Sequence, residues 1–320
     1  MKVLANDGIS ALGEKILKEA GYHIETNNVA QAELESYINN NKIDVVLVRS
    51  ATTVRKDLID ACPGLKGIGR GGVGMDNIDV DYARDNGRLV FNTPGASSQA
   101  VAELVIAHMM SMARDLFDAN RNMPSKGDTE FKVLKKKYAK GIELRGKTMG
   151  IIGLGRIGQQ TAKYALGLGM NVIGSDPFMD SVNIDVQVGG QTVSVTINSE
   201  ERDAVLEKSD FISLHVPAQA NGQPVIGKSE LEKMKEGVIL INLARGGIID
   251  ESELLQALDA GKVRAAGIDV FKNEPTPSSN LLAHPKISLT PHIGAATVEA
   301  QDRIGEELAE FIMSNFPLNG

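Results

Sequence analysis

Cysteine is almost absent from this 320-residue chain: Cys62 is the only one. A single thiol excludes an internal disulfide and a thiolate metal cluster, and no metal is expected. Cys62 precedes Pro63-Gly64, a turn signal, and reads as a small packed residue. Positive charge is not in excess either. The formal net charge is −7, so no global field draws the chain to nucleic acid or an anionic membrane. No apolar run reaches the length of about 18 residues needed to span a bilayer. The start, Met1-Lys2-Val3-Leu4-Ala5-Asn6-Asp7, turns polar too soon to supply a signal-peptide core. These absences leave the cytoplasm as the expected location, with neither nucleic acid nor membrane as a partner.

What the chain has is size and alternation. With 42% hydrophobic and 23% charged residues, it can form two cores. Short runs rich in Val, Ile and Leu (Lys2–Ala5, Val45–Val48, Gly67–Ile68, Leu89–Phe91) alternate with amphipathic stretches (Ser10–Ala20, Ala30–Asn40, Lys56–Ala61). The runs suit strands buried on both faces, and the alternation implies βαβ units. A second series predicts six strands at Thr148–Ile152, Asn171–Ser175, Phe211–His215, Val238–Asn242, Ala265–Val270 and Lys286–Leu289. Its helices fall near Gln159–Leu168, Ser229–Lys235 and Glu251–Ala260. The fold class is therefore α/β, with two doubly wound parallel-sheet domains. Between the series, Ser97–Phe117 reads as one long apolar helix, a domain-bridging or subunit-packing element. Ala295–Phe316 reads as a helix that returns to the first domain. One segment breaks the rhythm: Ser181–Asn198 alternates with period two around Gly189-Gly190, which predicts an inserted hairpin, a surface flap with one buried face.

Gly153-Leu154-Gly155-Arg156-Ile157-Gly158 follows a predicted strand and opens a helix. In that context Gly153 permits the tight turn, Gly155 lets backbone approach a pyrophosphate, and Gly158 lets helix and strand pack. The helix N-terminus offers N–H donors to phosphate, and Arg156 can add a charge. Asp176 ends the next strand, eighteen residues beyond Gly158. A carboxylate there accepts from a ribose 2′-hydroxyl and repels a 2′-phosphate, which favours NAD over NADP. A simple strand-end turn before Pro177 is the alternative role.

Three further segments end later strands: Asn242-Leu243-Ala244-Arg245-Gly246-Gly247, Gly267-Ile268-Asp269-Val270-Phe271-Lys272-Asn273-Glu274-Pro275, and Thr290-Pro291-His292-Ile293-Gly294-Ala295. Hydride removal from a secondary alcohol needs a base for the hydroxyl proton, and histidine titrates near working pH. A carboxylate partner such as Glu274 stabilises the imidazolium and fixes the ring tautomer. A forked guanidinium, Arg245, holds a substrate carboxylate bidentately.

Together with the glycine motif these segments resemble the D-isomer-specific 2-hydroxyacid dehydrogenase family over nearly the whole chain. The resemblance implies a Rossmann NAD domain (97–293) inserted in a flavodoxin-like substrate domain (1–96 and 294–320). It implies catalysis by Arg245, Glu274 and His292, with His292 as acid/base, and places Asp269 beside the nicotinamide amide. Leu214-His215-Val216-Pro217 is similar to a family segment lining the cofactor, and Leu243, Ala244, Gly294 and Ala295 are assigned to the same lining. The loop Arg70-Gly71-Gly72-Val73-Gly74-Met75-Asp76-Asn77-Ile78-Asp79 resembles the family's substrate loop, whose backbone amides also meet the carboxylate. With Asn92-Thr93-Pro94-Gly95 and Ala102-Glu103-Leu104, this version is most similar to the branch that oxidises D-3-phosphoglycerate with NAD, the first step of serine biosynthesis.

A phosphorylated substrate needs cations beyond Arg245. Arg49, Arg70 and the basic run Lys135-Lys136-Lys137, read as a loop, are the candidates; the resemblance implies that matching positions surround the phosphate, with the run reaching in from the other subunit of a homodimer. The rival roles are a solvated charge run for the lysines and pairing with nearby Asp residues for Arg49 and Arg70. Ending at Gly320, the chain departs from longer members, and feedback by serine through a C-terminal domain is not expected. Two other activities fit the same residues: reduction of hydroxypyruvate, glyoxylate or another 2-keto acid with NADH, and a non-catalytic NAD-sensing role like that of corepressors on this fold.

Overall fold

The computed structural model describes residues 1–318, which divide into two compact units, residues 1–98 with 295–318 and residues 99–294. The first unit holds five strands, β1 (Lys2–Ala5), β2 (His23–Glu25), β3 (Val45–Val48), β4 (Gly67–Arg70) and β5 (Leu89–Asn92). They pair in the order β2-β1-β3-β4-β5, all parallel. This is the flavodoxin-like order, which reverses its winding between β1 and β3. Val45–Val48 is buried at every position, as a central parallel strand covered on both faces must be. Leu4, Val46, Val48, Ile68 and Val90 face one core, and Val3, Ala5, Val45, Leu47 and Phe91 face the other.

The second core is closed by helices Ala11–Glu19 and Val298–Asn315. Ser10 caps the first by accepting from the Gly13 N–H, and Thr297 caps the second by accepting from the Ala300 N–H. The two helices meet where Gly13 faces Gly305. A methyl on Gly13 would lie 2.6 Å from the Gly305 Cα, so neither position has room for a side chain. Cys62 is fully buried in the first core, where burial pushes its thiol up.

The second unit holds β6 (Thr148–Ile152), β7 (Asn171–Ser175), β8 (Ser181–Val188), β9 (Gln191–Asn198), β10 (Phe211–Leu214), β11 (Val238–Asn242), β12 (Val263–Ile268) and β13 (Ile287–Leu289). Six of these form a parallel sheet, β13-β12-β11-β10-β6-β7, whose winding reverses between β6 and β10. Helices Arg202–Lys208, Lys228–Lys233 and Glu251–Ala260 cover one face, and Ser98–Ala113 and Arg156–Gly167 the other. The strands β8 and β9 pair antiparallel as the expected hairpin, with Ile184 and Ile197 buried and Val188 and Val193 exposed.

Three local expectations are corrected. The helix expected over Ser97–Phe117 stops at Ala113, and a separate helix runs from Leu116 to Lys126. The break is at Asp115, held in the left-handed region at φ 52°, which Asp tolerates better than most residues. The Lys135–Lys137 run is not a loop but the last turn of helix Phe131–Lys137, where cations suit the negative end of the helix dipole. The edge strand β2 has no counterpart among the strands expected from sequence.

Gly13→Ala is expected to cost about 1–3 kcal/mol of stability by forcing the two helices apart, measured by urea denaturation. An unchanged unfolding midpoint would show that the helix pair separates at no cost.

Candidate active site

In open parallel sheets ligands collect at the carboxyl ends of strands, where the winding reverses. In the second sheet that point lies between β6 and β10, and the residues following both strands are the sequence candidates. The turn after β6 is laced to its neighbours: Gly153 N–H donates to the Ser175 carbonyl at 2.8 Å and Leu154 N–H to Asp176 Oδ2 at 2.8 Å. A methyl on Gly158 would lie 2.0 Å from the Gly153 carbonyl oxygen, whereas one on Gly155 would meet nothing within 4 Å. The turn is thus tight at one glycine and open at another. Helix Arg156–Gly167 begins at Gly155 without a side-chain cap, which leaves its first-turn N–H groups, those of Arg156, Ile157 and Gly158, to an anion. These features fit the pyrophosphate of a dinucleotide.

Asp176 does more than end a strand. Its Oδ2 takes the Leu154 N–H and its Oδ1 takes the Phe178 N–H at 2.9 Å. Each carboxylate oxygen keeps a further lone pair for a ligand hydroxyl. Ser199, just after the hairpin, was not among the expected residues. Its hydroxyl accepts from Asp176 N–H at 2.9 Å and donates to the Asp176 carbonyl at 3.0 Å. A serine after an inserted hairpin carries no sequence signal for that role.

His215 follows β10, and its Nε2 lies 2.9 Å from the Ser213 hydroxyl. Desolvation pushes its pKa down to about 3, so the ring is neutral and suited to lining rather than proton transfer. Val216 is partly buried against the core and Pro217 continues the same loop.

At the end of β11, buried Asn242 brackets the next turn, accepting the Ala244 N–H at 3.0 Å and donating to the Arg245 carbonyl at 2.9 Å. An Asn two residues before a backbone N–H that it binds is an Asx turn, a signal present in Asn242-Leu243-Ala244. Beyond β12, Glu274 is fixed from both sides. Its Oε1 accepts the Phe271 N–H at 2.9 Å, and its Oε2 lies 2.8 Å from His292 Nδ1. The carboxylate only accepts, so Nδ1 carries a proton and Nε2 is left to face a ligand. His292 is 41% exposed in its side chain, open enough to be reached, and holds φ 55°. Asp269 is 1% exposed. Its carboxylate accepts from the Thr290 hydroxyl at 2.6 Å, the Ile293 N–H at 2.9 Å and the Gly294 N–H at 2.9 Å. It straps the His292 loop to the end of β12, a task the sequence reading did not give it.

In the first unit Arg49 follows β3 and Arg70 ends β4. The Arg49 N–H donates to Asp7 Oδ2 at 2.6 Å, and the Arg70 Nε donates to the Arg49 carbonyl at 3.2 Å. The Arg70 Nη1 reaches the Gly74 carbonyl, and Asn92 holds the Val73 carbonyl at 2.5 Å. Gly72 is buried and Val73 is 38% exposed. The alternative pairing of the Arg49 guanidinium with an Asp has no counterpart among the described residues, where Asp7 Oδ2 instead accepts the Arg49 and Thr52 N–H groups. In the second unit Lys135 is exposed, while Lys137 pairs with Asp118 at 2.5 Å. That pairing raises the Lys137 pKa and ties helix Phe131–Lys137 to helix Leu116–Lys126.

The model of the D-isomer specific 2-hydroxyacid dehydrogenase NAD-binding domain matches residues 106–294, more than half of the chain. D-3-phosphoglycerate dehydrogenase of Methanocaldococcus jannaschii is 41% identical over 312 residues, covering 98% of this chain but 57% of that protein. Hydroxypyruvate reductase of Thermotoga maritima is 44% identical over 274 residues, covering 85% of this chain and 84% of that protein. Among solved structures, a glyoxylate reductase from Paecilomyes thermophila superposes with a TM-score of 0.82 at 28% identity, covering 98% of this chain and 94% of that one.

Asp176→Ala is expected to weaken NAD binding about tenfold, the worth of a charge-assisted hydrogen bond, and to narrow the preference over NADP. Fluorescence titration with NADH and NADPH measures both. An unchanged ratio would reduce Asp176 to a turn residue.

Proposed function

The chain belongs to the D-isomer specific 2-hydroxyacid dehydrogenase family, and from that premise we propose that it oxidises D-3-phosphoglycerate to 3-phosphohydroxypyruvate with NAD. The observation that carries the reading is the His292–Glu274 pair at 2.8 Å, with the second Glu274 oxygen anchored on the Phe271 N–H. A base that faces outward, with its partner already oriented, is what removal of a hydroxyl proton requires. Bound NAD supplies the acceptor for the hydride leaving C2. His292 Nε2 takes the hydroxyl proton, and the Glu274 carboxylate stabilises the imidazolium that forms. In the reverse direction the same nitrogen returns the proton to the keto oxygen. Arg245 holds the substrate carboxylate by a two-pronged hydrogen bond. The glycine turn and Asp176 bind the pyrophosphate and ribose.

The phosphate is assigned to Arg49 and Arg70, which stand at the carboxyl edge of the first sheet. Support for a phosphorylated substrate comes from the Methanocaldococcus relative and from the Arg49 guanidinium, which forms no ion pair among the described residues while Asp7 accepts backbone N–H groups. A homodimer is part of the proposal. Leu116, Met123, Phe131 and Val133 are large apolar side chains exposed on two linked helices, and such a patch favours a partner surface. Lys135 lies on the same pair of helices. The second reading, reduction of hydroxypyruvate without a phosphate requirement, draws on the Thermotoga relative, which this chain matches over most of both lengths.

The test follows NADH absorbance with purified protein on 3-phosphohydroxypyruvate and on hydroxypyruvate. The proposal expects kcat/KM to favour the phosphorylated acid by about two orders of magnitude or more, the worth of a charge-assisted anchor. Comparable values would move the substrate to the simple hydroxy acid. No turnover on either would favour the NAD-sensing role. In a companion measurement, His292→Ala should lower kcat by about 10²–10⁴-fold with NADH affinity nearly unchanged. Equal losses of rate and affinity would contradict a base separate from the cofactor site.

A further inference from the structure

Helix Ser98–Ala113 carries a histidine, His108, that the proposed chemistry does not use. Its side chain is buried, and both ring nitrogens are engaged. Nδ1 lies 2.9 Å from the Ser288 hydroxyl and Nε2 lies 3.0 Å from that of Thr290. Ser288 belongs to β13, and Thr290 stands two residues before His292. Counting hydrogens sets the direction of each bond. Thr290 donates to Asp269 Oδ1 at 2.6 Å, and a hydroxyl has only one hydrogen, so toward His108 its oxygen must accept. Nε2 therefore carries the ring proton, and Nδ1 of the neutral ring accepts from Ser288. Burial holds the His108 pKa below the ordinary histidine range, which keeps this neutral form.

The chain of bonds does not stop at Asp269. The same carboxylate takes the Ile293 and Gly294 N–H groups, which immediately follow His292. The His292 backbone is in the left-handed region at φ 55°, a conformation that costs a non-glycine residue about 1–2 kcal/mol and persists only where neighbours impose it.

We propose that His108 is a positioning residue: by anchoring the Thr290 hydroxyl it fixes the Asp269 carboxylate, and with it the loop that presents His292 to Glu274. The consequence for turnover rests on the dehydrogenase reading, whereas the loop geometry does not. Buried Ser288, His108 and Asp269 form one polar network with half-buried Thr290, and in such networks loss of a member leaves its neighbours with unmet partners where water is scarce. His108→Phe keeps the ring's bulk and removes both hydrogen bonds. His108→Gln keeps an N–H donor for Thr290.

Amide hydrogen exchange on the full chain reads the loop without depending on catalysis. In His108→Phe the Ile293 and Gly294 amides are expected to exchange about tenfold faster, the cost of one unmet buried hydrogen bond, with amides of β11 much less affected. His108→Gln should recover much of that protection. Thr290→Val should accelerate the same two amides and add little in the His108→Phe background, because both changes act through one hydroxyl. In turnover, kcat for keto-acid reduction should fall about tenfold with KM nearly constant. Unchanged exchange at Ile293 and Gly294 in all three single variants would overturn the proposal. So would a uniform loosening of the sheet that glutamine does not recover, or fully independent effects of the two substitutions. If His108→Phe fails to fold, His108→Gln and Thr290→Val decide it by the same amides. A wild-type protein that reduces no 2-keto acid, yet whose amides respond as described, would remove the dehydrogenase reading and leave the role of His108 in place.

Discussion

Asp269 is a carboxylate withdrawn almost completely from water. Burying such a group is costly unless its oxygens are met, and here they are met by a hydroxyl and two backbone N–H groups. All of those donors lie in residues 290–294, the segment that carries His292. The carboxylate and the loop therefore specify each other. Asp269 is stable in its place only while the loop is folded over it, and the loop keeps its left-handed histidine only while Asp269 gathers the following amides. The His292–Glu274 contact is built upon this strap, with Glu274 anchored separately at the Phe271 N–H.

The two sheets share the reason that polar groups stand where they do. Parallel strands covered on both faces, such as β3 and β11, carry apolar side chains along their length, β11 turning polar only at its last residue, Asn242. Hydrogen-bonding residues concentrate at the carboxyl ends. Asp7 and Arg49 follow β1 and β3, where the first sheet reverses its winding. The glycine turn and His215 follow β6 and β10, where the second does so. The helix after β6 adds its uncapped first turn at the same end. Binding chemistry at these edges follows from the burial pattern of the strands.

Much of this was legible in the chain. Runs of Val, Ile and Leu marked the buried strands because a parallel sheet leaves no polar face to blur them. Period-two alternation around Gly189-Gly190 marked the hairpin for the opposite reason. Glu274 and His292, eighteen residues apart, were singled out by residue type and by their strand-end positions, and the fold brings them to 2.8 Å. What escaped shares a different character. β2 is a three-residue edge strand, His23–Glu25, with polar ends, too short and too polar for a pattern. The helix break at Asp115 depends on a single backbone torsion. Lys135–Lys137 was read as a loop because charge patterning does not register that a helix ends there. His108 was hidden among Val101, Leu104, Val105, Met109 and Met112, in a helix whose apolar content masks one polar network. Ser199 owes its importance to a partner brought close only by the hairpin between them.

The β8–β9 hairpin is held to the sheet at its base. Its two strands leave and rejoin the sheet at nearly one point: Ser199 clasps Asp176, its N–H reaches the Asp180 carbonyl, and Glu200 N–H reaches Gly174. Ile184 and Ile197 root the base in the core, while Val188 and Val193, beside the turn, are in solvent. Mechanically this is a lever riveted at the fulcrum. Additions at the tip are separated from the Asp176 carboxylate by the length of the paired ribbon. The tip is accordingly a natural graft point, where a foreign peptide, a fluorophore or an affinity handle can be spliced between Gly189 and Gly190 and carried by the protein as cargo.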